Sequence, residues 1–455
     1  MHRDAPCYET VSSRLKVRRE LVCCAGSRSL RTGCVMDHFK YRDLELFCED
    51  VRLAEVAESV GTPAYVYSRA TIEHHAARLA EAFAWADPLI CYSVKALSNL
   101  AVLKIFAALG VGFDVVSGGE IDRVLKAGGE ASKIVFAGVG KSDAEIEQAA
   151  RLGIHLFTVE SEAELEAIEA VAAKLDTRVR VALRVNPDVD PKTHRYVSTG
   201  KRESKFGLDL ERAGAAYARR GEFAHLDFVG VHAHIGSQIT SVDPYVVALS
   251  RIGGFIQAQE ATGVEIDTLD IGGGFGIFYR IGEALTAKEF AKAIRPVVEP
   301  LGKKIVMEPG RFIVGNAGVL LTRVAFVKDS GDKRFIVVDA AMNDLIRPSL
   351  YQAEHRIWPV LAPFTPEEAE GKALPRADVV GPVCESGDFL ALDRPFPEVR
   401  RGDLLAVFSA GAYGMTMSSN YNSRPRAAEV LVDRTRFRIV RRRETYDDLT
   451  GLESL

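Results

Sequence analysis

The sequence predicts an α/β fold: an eight-stranded parallel β/α barrel with a second, all-β domain at the C-terminal side. Three observations carry that prediction. Between about residues 70 and 315, eight short β-rich runs alternate with stretches whose apolar residues recur every three or four positions. Polar residues and glycines collect at or just past the C-terminal ends of those runs, which is the rim on which barrel enzymes build their sites. Beyond residue 315 the helical patterns give way to strand-like runs separated by turn residues. A chain of 455 residues also exceeds a single hydrophobic core, which stops growing near about 250–300 residues.

The strand candidates are 89–94, 111–116, 134–139, 155–159, 179–185, 228–234, 268–271 and 304–307. Helical patterns at 99–109, 119–127, 142–152 and 162–175 lie between the first of them. A doubly wound sheet has the same local alternation, so periodicity alone does not decide. The count of eight favours the barrel. So does the rim placement of Lys95, Ser117, Asn186, His234, Gly272, Gly273, Gly274 and Glu308. After residue 315 the strand candidates are 318–327, 334–339, 377–383, 403–409, 427–432 and 436–441. The expected division is a barrel over 68–315 and a β domain over 36–67 and 316–455, with residues 1–35 a disordered extension.

A net charge of −4 argues against a nucleic-acid binder, which would show a basic face or stripe. No apolar run reaches the roughly 18 residues of a membrane span. Of seven cysteines, Cys7, Cys23, Cys24 and Cys34 fall in the extension, leaving Cys48, Cys91 and Cys384 too scattered for a disulfide framework. Reduced thiols in a cytoplasmic enzyme are the simpler reading. The first 35 residues hold seven Lys/Arg against three Asp/Glu and lack the apolar stretch of a secretory signal. A transit peptide and an upstream start codon, with the working protein beginning at Met36, both fit. The second is favoured, because ordered-looking sequence begins at once after it.

Lys95 ends an apolar strand in CYSVKALSN (91–99), where desolvation is expected to lower its pKa and a Schiff base to an aldehyde cofactor is within its chemistry. Taken alone, it also fits a surface lysine. In HAHIGSQ (232–238), His234 is placed to stack on an aromatic cofactor and Ser237 to hold a phosphate. A metal site on His232 and His234 is the rival, but no companion ligand set has convincing spacing, so no metal is expected. DIGGGFG (270–276) follows the seventh strand, where glycine backbone N–H groups can approach phosphate. Glu308 in EPGRF (308–312) would keep a pyridine nitrogen protonated; a plain ion pair with Arg311 is the bland alternative. In the β domain, Arg347 in RPSLY (347–351) suits a carboxylate, CESGD (384–388) puts a thiol beside a carboxylate, and GAYG (411–414) offers a phenol.

Taken together and in order, CYSVKALSN, GFDVVSGGE, HAHIGSQ, DIGGGFG, EPGRF, RPSLY, CESGD, GAYG and SSNYNSRPR closely resemble the diaminopimelate decarboxylases, which share a fold with alanine racemase and ornithine decarboxylase. The resemblance runs from about Phe39 to the C-terminus. It implies pyridoxal 5'-phosphate as cofactor and meso-2,6-diaminopimelate as substrate, with L-lysine and CO2 as products. It further implies that Lys95 joins the cofactor as a Schiff base, that His234 stacks on the ring and that Glu308 faces its nitrogen. Ser237, Gly273, Gly274, Gly310, Arg311 and Tyr413 would surround the cofactor and its phosphate. Arg311, Arg347, Tyr351, Glu385 and Tyr413 would hold the substrate, with Cys384 as proton donor. Cys384 and Glu385 would come from the partner subunit, so a homodimer is implied. Lys205, in SKFG (204–207), is the rival lysine. The competing readings are a decarboxylase of ornithine, arginine or carboxynorspermidine, a binding protein that has lost its chemistry, and a metal-dependent barrel hydrolase.

Overall fold

The structure, a computed structural model, describes residues 34–190, 205–279 and 284–454. Strands Leu89–Ser93, Gly112–Val115, Ile134–Phe136, Leu156–Val159, Val179–Asn186, Leu226–His232, Thr268–Asp270 and Lys304–Met307 pair in parallel in that order. The last then pairs with the first, Val306 opposite Leu89, which closes the barrel. The expectation of a barrel over a doubly wound sheet therefore holds, since an open sheet would leave two edges.

The local chemistry explains the alternation. Helices begin where a side chain can accept an otherwise orphaned backbone N–H. Asn99 caps Leu100–Ala108, Ser117 caps Gly118–Lys126 and Ser161 caps Glu162–Lys174. Asp143–Leu152 and Ala287–Val298 start with reciprocal boxes, Ser142 with Glu145 and Thr286 with Glu289. Their apolar faces pack on the outside of the strands. Cys91, Val135, Leu156, Ala182 and Val306, from five strands, form a separate cluster that fills the barrel's interior.

The second sheet has nine strands built around Gly318–Ser330, which pairs with Lys333–Val338, Leu404–Val407 and Ala64–Ser68. Ala64–Ser68 in turn runs parallel to Ala428–Asp433, so a strand preceding the barrel lies within the β sheet. Two of its strands, Ile357–Pro359 and Phe389–Pro395, were absent from the sequence prediction. A small antiparallel sheet precedes them, made of Cys34–Met36, Phe39–Arg42, Glu45–Cys48 and Val51–Arg52. Its first strand begins just inside the segment expected to be disordered; residues 1–33 lie outside the described residues. Among the described residues no helix is long and apolar enough to cross a membrane.

The β sheet is fastened to the barrel's rim by polar contacts. Glu429 accepts hydrogen bonds from Tyr67 Oη and Asn99 Nδ2, both at 2.9 Å. The backbone N–H of Tyr413 donates to the carbonyl of Ala96 at 2.8 Å, which ties the 411–414 loop to the Lys95 turn.

Candidate active site

Lys95 sits in a single 3-10 turn, Val94–Ala96, that follows the first barrel strand. Its Nζ donates to Asp114 Oδ2 at 2.8 Å, and Ser93 Oγ donates to the same oxygen at 2.6 Å. Ser93 and Asp114 are register partners on adjacent strands, so the carboxylate is delivered to the lysine by the sheet itself. Asp114 is fully buried. Burial acts to lower the Lys95 pKa, as expected from the sequence, yet Asp114, Tyr413 and Glu308 outweigh it and hold the ammonium above its ordinary range. The expected lowering is therefore reversed, because the amine is surrounded by acids rather than by apolar groups alone.

Glu308 follows the eighth strand and is buried. His232 Nε2 lies 3.2 Å from its Oε2, while Oε1 has no hydrogen-bond partner among the described residues. Burial pushes this carboxyl upward, but His232, Lys95 and His234 prevail and hold it well below the usual carboxylate range. The plain ion pair between Glu308 and Arg311 is not made: Arg311 donates instead to Tyr279 Oη at 2.6 Å and to Ser237 Oγ at 3.2 Å.

His234 lies two residues past the sixth strand, and its Nδ1 accepts from the N–H of Gly273 at 3.1 Å. Burial, with Arg184 and Lys95 nearby, holds its pKa well below the ordinary value, so the ring is a neutral imidazole. The glycine loop beside it is shaped by close packing. A Cβ on Gly273 would lie 2.1 Å from the Glu308 carbonyl oxygen, and one on Gly274 (φ +93°) 2.1 Å from that of Gly236. These glycines are required before any ligand arrives. Gly310 is similarly tight, its Cβ position 3.0 Å from the Cβ atoms of Ser93 and Ala96.

On the side facing the β domain, Arg311 and Arg347 are both buried. The Arg311 guanidinium lies 4.8 Å from the centroid of the Tyr413 ring, and Arg347 lies 5.0 Å from that of Tyr279. Arg347 Nη1 is 2.8 Å from His355 Nε2. His355 Nδ1 is 2.8 Å from the carbonyl of Phe408, so Nδ1 carries the proton and Nε2 accepts from the arginine. Burial and Arg347 push the His355 pKa down to about 3, so it offers Arg347 no negative charge. Among the described residues no carboxylate pairs with either guanidinium.

Tyr351 ends the helix that Arg347 begins. Cys384 and Glu385 are exposed and stand apart from this cluster, on a loop organised by Asp388, whose carboxylate accepts from Met342 N and Val383 N at 2.7 Å. The Cys384 N–H donates to Asn422 Oδ1 at 2.9 Å. Lys205 is exposed above the ring of Phe206. The structure thus gathers Lys95, His234, Ser237, Gly273, Gly274, Glu308, Gly310, Arg311, Tyr413 and Arg347 around one rim.

Sequence reasoning did not single out Asp114, Asp270, Tyr279 or His355. An acid inside an otherwise apolar strand was the available signal for the first two; Tyr279 and His355 carried none.

The residues fit pyridoxal phosphate. An orphaned, buried carboxylate oxygen on Glu308 suits a protonated pyridine nitrogen, a neutral imidazole on His234 suits ring stacking, and the primary amine of Lys95 stands on the same rim. Barrel and site together define a pyridoxal-phosphate enzyme. Residues 69–315 match the pyridoxal-binding domain of the pyridoxal-dependent decarboxylases. Diaminopimelate decarboxylase of Pseudomonas aeruginosa is 52% identical over 92% of this chain and 99% of its own. That of Aquifex aeolicus is 49% identical over 90% and 96%. The crystal structure of the Helicobacter pylori diaminopimelate decarboxylase complexed with L-lysine superposes with a TM-score of 0.83 at 41% identity, covering 88% of this chain and 99% of that one. The chain belongs to the diaminopimelate decarboxylase family.

Proposed function

We propose that this protein decarboxylates meso-2,6-diaminopimelate to L-lysine and CO2, the last step of lysine biosynthesis, in the cytoplasm and as a homodimer. The observation that carries the substrate is the pair of buried guanidiniums, Arg311 and Arg347, flanking Tyr279 with no carboxylate partner among the described residues. A buried cation without a counter-ion is costly, and a second carboxylate on the substrate supplies one. Ornithine has none to give.

When bound, pyridoxal phosphate supplies an electron sink for the pair released as CO2 departs. Lys95 would hold the cofactor through its amine, the group that a substrate amine would replace. Asp114, 2.8 Å from Nζ, would hold the lysine amine as its ammonium whenever that amine is free. Glu308, held ionised, would face the ring nitrogen, and His234, a neutral imidazole, would stack on the ring. Ser237, the Gly273 and Gly274 backbone, Gly310, Arg311 and Tyr413 would surround the phosphate. Arg311, Arg347 and Tyr351 orient the substrate's distal carboxylate, so that the other carboxylate is the one that leaves.

Cys384 and Glu385 are assigned to the site of a second copy of the chain, Cys384 returning a proton to the α-carbon and Glu385 meeting the distal amino group. Their exposure on a loop tied to the Arg347 segment through Asp388 supports this reading. Barrel over 68–315 and β domain over 36–67 and 316–455 would then each contribute to both sites of the dimer. The test is CO2 release and lysine formation by purified protein. Release from diaminopimelate at least tenfold faster than from ornithine is expected; preference for ornithine would overturn the assignment.

A further inference from the structure

Asp270 ends the seventh barrel strand beneath the cofactor site and is fully buried. Parallel pairing sets it directly opposite His232 on the sixth strand. Glu308 closes the group from the eighth, and polar atoms of His232, Asp270 and Glu308 all lie within 4.8 Å of one another. Each retains one buried atom with no hydrogen-bond partner among the described residues: His232 Nδ1, Asp270 Oδ2 and Glu308 Oε1.

Two buried carboxylates this close strongly disfavour being ionised together. Their surroundings decide which keeps the charge. Glu308 has the His232 imidazole at 3.2 Å and Lys95 nearby. Asp270 has one backbone donor, the N–H of Gly272 at 2.8 Å on Oδ1, and faces Asp114 as well as Glu308. The proton therefore belongs on Asp270 and the charge on Glu308. Burial and Glu308 raise the Asp270 carboxyl well above its ordinary range, in agreement with that asymmetry.

We propose that Asp270 is a positioning residue which, as a neutral carboxylic acid, holds Glu308 ionised and aimed at the cofactor nitrogen. The inference rests on the reading of Glu308 as the partner of that nitrogen. Asp270 does not touch the reacting atoms. Its Oδ2 proton fills the space between the carboxyls, its Oδ1 is fixed by Gly272, and no proton changes hands during turnover.

The test uses Asp270→Asn, Asp270→Ala and Glu308→Gln. An amide reproduces the neutral acid: its oxygen can accept from Gly272 and its NH2 can donate towards Glu308. Asp270→Asn is expected to bind pyridoxal phosphate to the apoenzyme with a Kd within about threefold of wild type and to keep the visible absorption band, whereas Asp270→Ala should weaken binding about tenfold or more and shift that band. Infrared difference spectra of the apoenzyme at pH 8 should show a protonated carboxyl C=O stretch in wild type that is missing from Asp270→Asn. Asp270→Asn binding as poorly as Asp270→Ala, or the lack of that stretch, would mean that an ionised aspartate is required and would overturn the proposal. Asp270→Ala matching wild type in Kd and band would overturn it as well. Glu308→Gln separates the two readings: if it leaves cofactor affinity and spectrum unchanged, the assignment of Glu308 itself fails, while the infrared result on Asp270 stands independently.

Discussion

Replacing Lys95 with Ala removes the residue proposed to join the cofactor, so loss of turnover is expected, but the structure predicts a second and separable effect on the apoenzyme. Asp114 is fully buried, and besides Lys95 its bonded oxygen keeps only the Ser93 hydroxyl. Breaking a fully buried pair costs about 3–5 kcal/mol. The Lys95 side chain is 38% exposed, so solvent screening reduces this to about 2 kcal/mol. With an unfolding entropy of roughly 2.1 cal/mol/K per residue, that corresponds to a Tm about 2 °C lower for a unit of this size.

The pH dependence follows from Asp114. Its carboxyl already stands above the ordinary value, raised by burial and Glu308 and restrained by Lys95, so removing the lysine raises it further. A carboxyl raised in the folded state imposes no penalty at a pH below the unfolded value near 3.9 and an increasing one as pH climbs towards the folded value. Lys95, raised as well, keeps its charge in the wild type across this range and adds no slope of its own. The deficit of Lys95→Ala should accordingly be larger at pH 8 than at pH 5, and Lys95→Ala with Asp114→Asn should lose that difference. Thermal melts of the apoenzymes at the two pH values measure it. A deficit that is equal at both, or larger at pH 5, would refute the assignment of an unpaired Asp114 as its cause.

Arg347→Ala should raise KM for diaminopimelate about 100-fold, the value of roughly 3 kcal/mol for a charged, two-bond contact. The Kd for pyridoxal phosphate should change little, and steady-state kinetics with a cofactor titration separates the two. Gly274→Ala should cost several kcal/mol, because a φ of +93° is strained for alanine and the new Cβ would meet the Gly236 carbonyl at 2.1 Å; loss of cofactor binding together with a lower unfolding midpoint is the expected result. If Cys384 serves the partner's site, Lys95→Ala and Cys384→Ala proteins, each inactive or slow alone, should regain about a quarter of wild-type activity after mixed refolding, since half of the random dimers carry one intact site of two. No recovery would place both residues in one chain's site.

The barrel and its rim were legible because two short-range signals agree there. Short, continuous apolar runs followed by apolar residues recurring every three or four positions place the strands, and unusual residue types at their ends mark the rim. Asp114 escaped notice although it lies inside a quoted motif. Its role depends on Ser93 and Asp114 being opposite one another across two strands, which no single segment displays. The direction of the Lys95 shift failed for the same reason: desolvation can be inferred from one strand, whereas the opposing carboxylates arrive from strands two and eight. In the β domain, Phe389–Pro395 was missed because Asp393, at φ +48°, and charged neighbours interrupt its pattern. Ile357–Pro359 is too short for a period to register. The hairpins before Ala64 turn through Asp37, Asp43, Leu44 and Glu49, non-glycine residues at positive φ that no turn signature announces.

What sequence could not show at all is the polarity across the site. On the barrel side charges of opposite sign meet, Lys95 with Asp114 and Glu308. On the β-domain side they do not: Arg311 and Arg347 lean on phenols and a neutral imidazole. Tyr279 makes this tolerable, because the two guanidiniums prevail over burial and draw its phenol below the ordinary pKa, leaving it an acceptor that is easily polarised. An arrangement balanced at one end and cationic at the other orients a substrate with two carboxylates before any reaction begins. The end that needs an anion would retain one carboxylate, leaving the other to depart as CO2, its electron pair passing to the sink that pyridoxal phosphate would supply. Regiochemistry then follows from where the fold leaves its arginines unpaired, and the covalent chemistry at Lys95 need only be common to the whole family.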